Sequence, residues 1–362
     1  MENVQLETRY AGCGNAHVAF QVCGRGLVDL LFIPGLISHL DLEWEDTAYR
    51  SFILQLSRMA RVVRFDKRGT GLSDPVDSLP TMAQRCADAF AVLDAVGSTA
   101  VVAFGHCEGG PIALRMAARR PGLVRALVLY GTGARATPHD VVTQICRAIE
   151  CWGTGATLDM FAPSMAADPI ARSARGRLER AAASPALARA TFAALADADA
   201  QSVLPRIRVP TLVLHRRNET VPIAEGLLLA ERIQDAEFVA IDGTDHLPWA
   251  GDTQPVLDAV SRFLARLDLG LAASPDKTPA SSRRKSRSLT GVASLTEREN
   301  EVAELVARGM SNPEISRQLY LSRHTVESHL KSISAKLGVQ GRAKVIAAIR
   351  GTKIPELGDP RS

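Results

Sequence analysis

A cysteine framed by glycines, Gly105-His106-Cys107-Glu108-Gly109, is the stretch of this chain best suited to covalent chemistry. It follows the β-branched, apolar run Val101-Val102-Ala103-Phe104 and precedes a helix-like pattern that begins near Glu108. Glycines two residues either side of the centre give the spacing of a nucleophile elbow, with cysteine where serine is usual. The reason is steric: a residue held in a left-handed turn between strand and helix needs small neighbours, because the two elements pass closely. Such a turn exposes the central side chain at the top of a sheet and at the positive end of a helix, where a thiolate is favoured. A glycine-rich turn around an inert, buried cysteine has the same local pattern, so the rest of the chain has to separate the two readings.

His246 is the candidate base. It ends the loop Asp242-Gly243-Thr244-Asp245-His246 after the last strand-like segment, from which an imidazole can swing over the elbow. The loop Pro34-Gly35-Leu36 follows an early strand. The N–H of Leu36, with that of Glu108, would form an oxyanion hole. Together these parts describe acyl transfer through a thiol.

Positioning them calls for alternating strands and helices. Val18–Val22, Val28–Ile33, Arg61–Phe65, residues 100–104, Ala126–Tyr130, Thr211–Leu214 and Glu237–Ile241 read as strands. Thr81–Val96, residues 108–119, Ile223–Ile233 and Thr253–Leu267 read as helices. That rhythm predicts a mostly parallel sheet covered on both faces. Arg135 to about Pro205 interrupts it with an Ala-rich, helix-prone stretch that reads as a lid, or cap, over the site.

A chain of 362 residues suggests two domains. Residues 1–269 form the first and 294–350 the second, joined by a Ser/Pro/basic linker over 270–293. Charge divides in the same place. Residues 1–273 hold 27 Lys and Arg against 30 Asp and Glu, whereas 274–362 hold 16 against 9, so a nucleic-acid partner is sought at the basic end. No apolar run reaches the roughly eighteen residues of a membrane span, and the polar start, Met1-Glu2-Asn3-Val4-Gln5, shows no export signal. The six cysteines lack C-x-x-C spacing and read as reduced thiols of a cytoplasmic protein. No metal site, cofactor or membrane contact is expected.

The second domain reads as four short helices. Thr296 with Glu299 and Ser311 with Glu314 have capping-box spacing, Gly309 and Gly338 are stops, and Ser322 caps the third helix, Arg323–Leu337. A short helix, a tight turn and a longer polar helix make a helix-turn-helix. Val326, Leu330, Ile333 and Leu337 recur at helical spacing and face inward, leaving Thr325, Ser328, His329 and Lys331 largely on the other side. The fourth helix covers Ala343–Ile349.

From Arg9 to Leu264 the chain resembles the α/β-hydrolase fold, in particular a bacterial subgroup fused to nucleotide-cyclase or regulatory domains. The matching segments include Ser38-His39-Leu40-Asp41, Asp66-Lys67-Arg68-Gly69-Thr70-Gly71-Leu72-Ser73, Glu108-Gly109-Gly110-Pro111 and Leu129-Tyr130-Gly131-Thr132. The resemblance implies an eight-stranded sheet with a helical cap and a triad of Ser or Cys, His and an acid. Two triad positions depart from the pattern. Cysteine replaces serine, as in some relatives of dienelactone hydrolase, and a thioester in a site shaped for an alkoxide deacylates slowly. The family's acid begins a D-x-x-V-P pattern, where this chain has Asn218-Glu219-Thr220-Val221-Pro222. Either Asn218, as a neutral acceptor, or the adjacent Glu219 would then orient His246. Weak or absent turnover in a surviving pocket is expected.

Leu295 to Val339 resembles the LuxR/GerE-type DNA-binding domain almost position for position. The resemblance places base-reading side chains at Glu327, Ser328 and Lys331, and phosphate or groove-wall contacts at Thr325 and His329, with Asn312 and Arg323 also on the DNA side. Glutamate stands at 327 where many members have lysine, and it can accept from a cytosine amine. The family's fourth helix forms a dimer contact, implying paired half-sites about one helical turn apart. The expectation is a homodimeric regulator of double-stranded DNA whose first domain senses a small acyl-bearing or apolar molecule. The alternative is an active Cys-dependent esterase, thioesterase or lactonase fused to a DNA-binding domain.

Overall fold

Successive residues of the central strands feed opposite apolar layers, and this alternation builds the sheet. A computed structural model describes residues 6–26, 28–137, 139–197, 199–271, 297–318, 323–337, 339 and 341–349. The strands are β1 (Arg9–Cys13), β2 (Ala16–Cys23), β3 (Asp29–Ile33), β4 (Arg61–Phe65), β5 (Val101–His106), β6 (Val124–Tyr130), β7 (Thr211–Arg216) and β8 (Ala236–Ile241). They form one sheet in the order β1-β2-β4-β3-β5-β6-β7-β8. β1 and β2 pair antiparallel and β2 runs antiparallel to β4, while β3 to β8 are parallel. Leu30, Phe32, Val102, Phe104, Val128 and Leu214 enter one layer; Leu31, Ile33, Ala103, Leu127, Leu129 and Val213 enter the other.

Helices cover both faces. α1 (Leu40–Glu45) and α2 (Thr47–Met59) follow β3, α3 (Met82–Ala95) follows β4, and α4 (Gly109–Arg119) follows β5. Between β6 and β7 the chain is helical, with α5 (His139–Ala148), α6 (Leu158–Phe161), α7 (Pro169–Ala182) and α8 (Pro185–Ala193) as its longer turns. α9 (Ile223–Arg232) and α10 (Gln254–Leu271) complete this unit. α2 and α10 send Phe52, Leu56, Val260 and Phe263 into the first layer, and α3, α4 and α9 send Leu93, Ile112, Met116 and Leu229 into the second. Strand β1 and helices α1 and α2 go beyond the elements read from sequence. The signal for α2 is legible in retrospect. Asp46 caps it, and Tyr49, Phe52, Ile53 and Leu56 recur on one buried face.

The chain divides into two compact units, Met1–Ser274 and Pro275–Ser362. The second holds α11 (Glu297–Ala307), α12 (Asn312–Gln318), α13 (Arg323–Leu337) and α14 (Arg342–Ile349). Val302, Val306, Ile315, Val326, Ile333 and Val345 form its core. The linker expected over 270–293 lies outside the described residues, apart from the last two positions of α10. Among the described residues no helix is long and apolar enough to cross a membrane, and no cluster of His, Cys, Asp and Glu could hold a metal ion. The six cysteines are unpaired.

Candidate functional site

Strand β5 ends and α4 begins around a backbone that a side chain ordinarily avoids. Cys107 has φ +52°, in the left-handed region. Its N–H donates to the Tyr130 carbonyl at 3.2 Å, and its carbonyl accepts from Thr132 Oγ1 at 2.6 Å and from the Gly110 N–H at 3.1 Å. The strain is held in place by these bonds. A Cβ on Gly105 would lie 2.5 Å from the Gly109 carbonyl oxygen, and one on Gly109 would lie 2.4 Å from that of Ile33. Strand and helix therefore pass at a distance that only glycine permits.

Across the sheet top, Glu219 follows β7 and His246 follows β8. Nδ1 of His246 donates to Oε2 of Glu219 in a short hydrogen bond, and both side chains are buried. Oε1 of Glu219 lies 3.1 Å from Nε2 of His215, which also meets the Val221 carbonyl at 2.8 Å. Burial opposes charge on His246, but the carboxylate of Glu219 and the sulfur of Cys107 outweigh it and hold the imidazole up at about 10. Nε2 of His246 makes no hydrogen bond to oxygen or nitrogen and lies with Cys107 on the wall of the same cavity. Asn218 is exposed, and its N–H donates to the Gly243 carbonyl at 3.2 Å. Of the two residues between which the sequence left the choice open, Glu219 reaches the imidazole. Gly131, at φ +52°, makes room for the pair, since a Cβ there would sit 3.0 Å from both Glu219 oxygens.

The two expected oxyanion donors also line this cavity. Neither the Leu36 nor the Glu108 N–H donates to another group among the described residues. Sequence reasoning missed what holds them. The Glu108 carboxylate is buried, and it takes the Lys67 ammonium on one oxygen and Arg85 Nη1 on the other at 2.5 Å. Lys67 Nζ also donates to the Gly35 carbonyl and lies 3.5 Å from that of Leu36. One buried ammonium thus ties both donor segments together. Burial draws Lys67 below its ordinary range, with Glu108 pulling the other way. His106, kept neutral by burial, accepts the Gly35 N–H on Nε2 at 3.0 Å, which fixes the turn from the other side.

The cavity, about 130 Å³, is lined largely by apolar groups, including Pro111, Ile145, Phe161, Leu195 and Val221. Phe161 belongs to α6, and its carbonyl accepts the N–H groups of His246 and Leu247 at 2.9 and 3.1 Å. The helical segment is therefore bonded directly to the loop that carries the imidazole.

In the smaller unit, Val326 and Ile333 of α13 are fully buried and Leu330 and Leu337 pack against them. Glu327 and Lys331, one turn apart, are exposed, and His329 is half-buried. The side chains of Arg323, Thr325 and Ser328 lie outside the described residues. Asn312 is engaged within the unit, its Oδ1 accepting from Arg342 Nη1 at 2.7 Å. Of the expected box, the Glu314 carboxylate accepts the Ser311 N–H and hydroxyl at 2.7 and 2.6 Å. Thr296 and Ser322 lie outside the described residues. The carboxylate of Glu299 bonds to Ser332 Oγ and Lys336 Nζ on α13, at 2.5 and 2.6 Å.

Residues 293–349 match the model of the luxR family of bacterial regulatory proteins, and residues 30–146 match that of the α/β-hydrolase fold. A protein of Mycobacterium bovis, provisionally named an HTH-type transcriptional regulator, is 38% identical over 89 residues. That match covers 23% of this chain and only 10% of the relative's own length. A Klebsiella pneumoniae protein provisionally named carbamate hydrolase RutD is 32% identical over 234 residues, 60% of this chain and 84% of its own. A hydrolase of Pseudomonas aeruginosa with a solved structure superposes with a TM-score of 0.61 at 25% identity, covering 73% of this chain and 99% of that one.

Proposed function

The chain belongs to the α/β-hydrolase fold family and carries a LuxR-family helix-turn-helix at its C-terminal end, and from that premise we propose that it is a transcription regulator whose hydrolase-like domain senses a small acyl-bearing or apolar ligand. The reading rests on one observation: an apolar cavity opens on Cys107 and two uncommitted N–H donors in a chain that also bears a DNA-reading unit. A ligand carbonyl placed on those donors sits beside the sulfur, with its apolar remainder in the cavity. The coupling requires that the ligand bind the DNA-competent and DNA-incompetent states with different affinity. Two copies reading paired half-sites through α13 complete the proposal.

The test uses the full-length protein. Selection from a random double-stranded library defines the operator, and anisotropy then follows its affinity across a panel of acyl esters, lactones and carbamates, the last suggested by the RutD relative. A ligand that binds saturably should shift operator affinity about fivefold or more. Saturable binding that leaves operator affinity and dimerisation unchanged would sink the sensor.

Cys107, His246 and Glu219 favour a second reading, a thiol-dependent hydrolase. The sulfur would attack the acyl carbon, His246 Nε2 would protonate the departing oxygen, and the neutral imidazole would then draw a proton from the water that cleaves the thioester. Turnover that disappears in Cys107→Ala supports this reading. One equivalent of product with a lasting acyl adduct supports covalent sensing instead.

A further inference from the structure

Cys107 and His246 also line a second, smaller chamber, about 30 Å³, which is bounded by Glu43, Phe192, Trp249 and Arg175 of helix α7. Arg175 is only 11% exposed. Its Nε donates to Thr157 Oγ1 at 2.8 Å, while its two terminal nitrogens make no hydrogen bond among the described residues. The nearest carboxylate, Glu179, lies 3.9 Å away and is already committed. It accepts the N–H groups of Gly153, Gly155 and Thr157 and the Thr157 hydroxyl. Glu43, on the wall of the same chamber, forms no ion pair with Arg175. Burial holds Glu43 up at about 8, so it is mostly an uncharged donor at neutral pH. A buried guanidinium without a full counter-charge is costly unless something pairs with it.

Resting on the reading of Cys107 as the acyl-accepting group, we propose that Arg175 is a carboxylate receptor: the ligand is an acyl compound whose short acid portion ends in a carboxylate, with its apolar remainder in the larger cavity. A guanidinium with free terminal N–H groups matches a carboxylate as a two-point acceptor. The chamber holds a group the size of one or two water molecules, which suits such a head and excludes a bulky one.

The probe is the mono-4-nitrophenyl ester of glutaric acid, set against the neutral methyl 4-nitrophenyl diester. Sulfur forms a thioester bond to the acyl carbon as the carbon–oxygen bond breaks; 4-nitrophenolate leaves with the electron pair, and His246 retains the thiol proton. Nitrophenolate release and intact mass are followed on the full chain. The wild type should be acylated by the anionic ester about tenfold or more faster than by the neutral one. Arg175→Met should erase that preference while leaving the neutral ester's rate within about twofold, and Arg175→Lys should keep part of it. A residue that only held α7 in place would slow both esters together.

An unchanged preference in Arg175→Met, or a wild type that favours the neutral ester, would overturn the proposal. If neither ester acylates Cys107, the nucleophile reading fails and calorimetry with monomethyl glutarate decides about Arg175 alone. Binding that weakens tenfold or more in Arg175→Met upholds the receptor, and no binding by the wild type refutes it.

Discussion

Glu219→Gln keeps the shape of the carboxylate and removes its charge, so it isolates what that charge does to His246. The charge centres of a hydrogen-bonded imidazolium and carboxylate lie about 4 Å apart, and at an effective dielectric near 20 they attract by about 4 kcal/mol. That is about three decades in proton affinity. His246 sits at about 10 in the wild type, with burial opposing the charge and Glu219 and Cys107 sustaining it. In the variant burial remains, so the imidazole should titrate below about 7.5. The assay is the Cε1 resonance of labelled histidine followed from pH 5 to 11, with His246→Asn identifying the signal. Stability carries the same information. Because the folded value lies above the unfolded one, the pair's contribution is fully present below about 6.5 and is lost as the pH rises through about 10. Urea melts should therefore show the wild type losing its advantage over Glu219→Gln across that window. A histidine that still titrates above about 9 in the variant would refute the assignment of Glu219 as its counter-charge.

Four further outcomes follow from the same geometry. Lys67→Met leaves the buried Glu108 with Arg85 alone and frees the Gly35 carbonyl; it should cost about 3–5 kcal/mol in a urea melt and slow acylation of Cys107 about tenfold or more. Gly105→Ala drives a methyl against the Gly109 carbonyl and should cost about 1–3 kcal/mol or more by the same assay. Stability should also fall from about pH 4.5 to about 8, where Glu43 ionises in the unfolded chain but stays protonated when buried, and Glu43→Gln should flatten that slope in pH-dependent melts. Lys331→Ala removes an exposed side chain from the outer face of α13 and should weaken operator binding by about 1–3 kcal/mol, with relaxed base preference in a repeated selection.

What could be read from the chain and what could not divides along a physical line. Alternation along the strands, glycine spacing at the elbow and the helical spacing of Val326, Leu330 and Ile333 in α13 are local, and local patterns survive in a single sequence. The acid is a matter of one residue. Asn218 and Glu219 are adjacent, and the bonds Arg217 N–H to Ile241 and Asn218 N–H to Gly243 decide which of them faces the sheet top. Those bonds join segments more than twenty residues apart, so no window of sequence contains the answer. The same holds for Arg175. Arg172, Arg175, Arg177 and Arg180 crowd one short helix, and nothing in their spacing separates them. Packing does. Arg172 reaches Asp159, Arg177 reaches Glu45 and Arg180 donates to Gly153, while Arg175 keeps its terminal nitrogens for the chamber beside Cys107. A charge that three neighbouring arginines satisfy locally and the fourth does not is visible only once the partners are in place, and it is that unsatisfied fourth that narrows the ligand's chemistry.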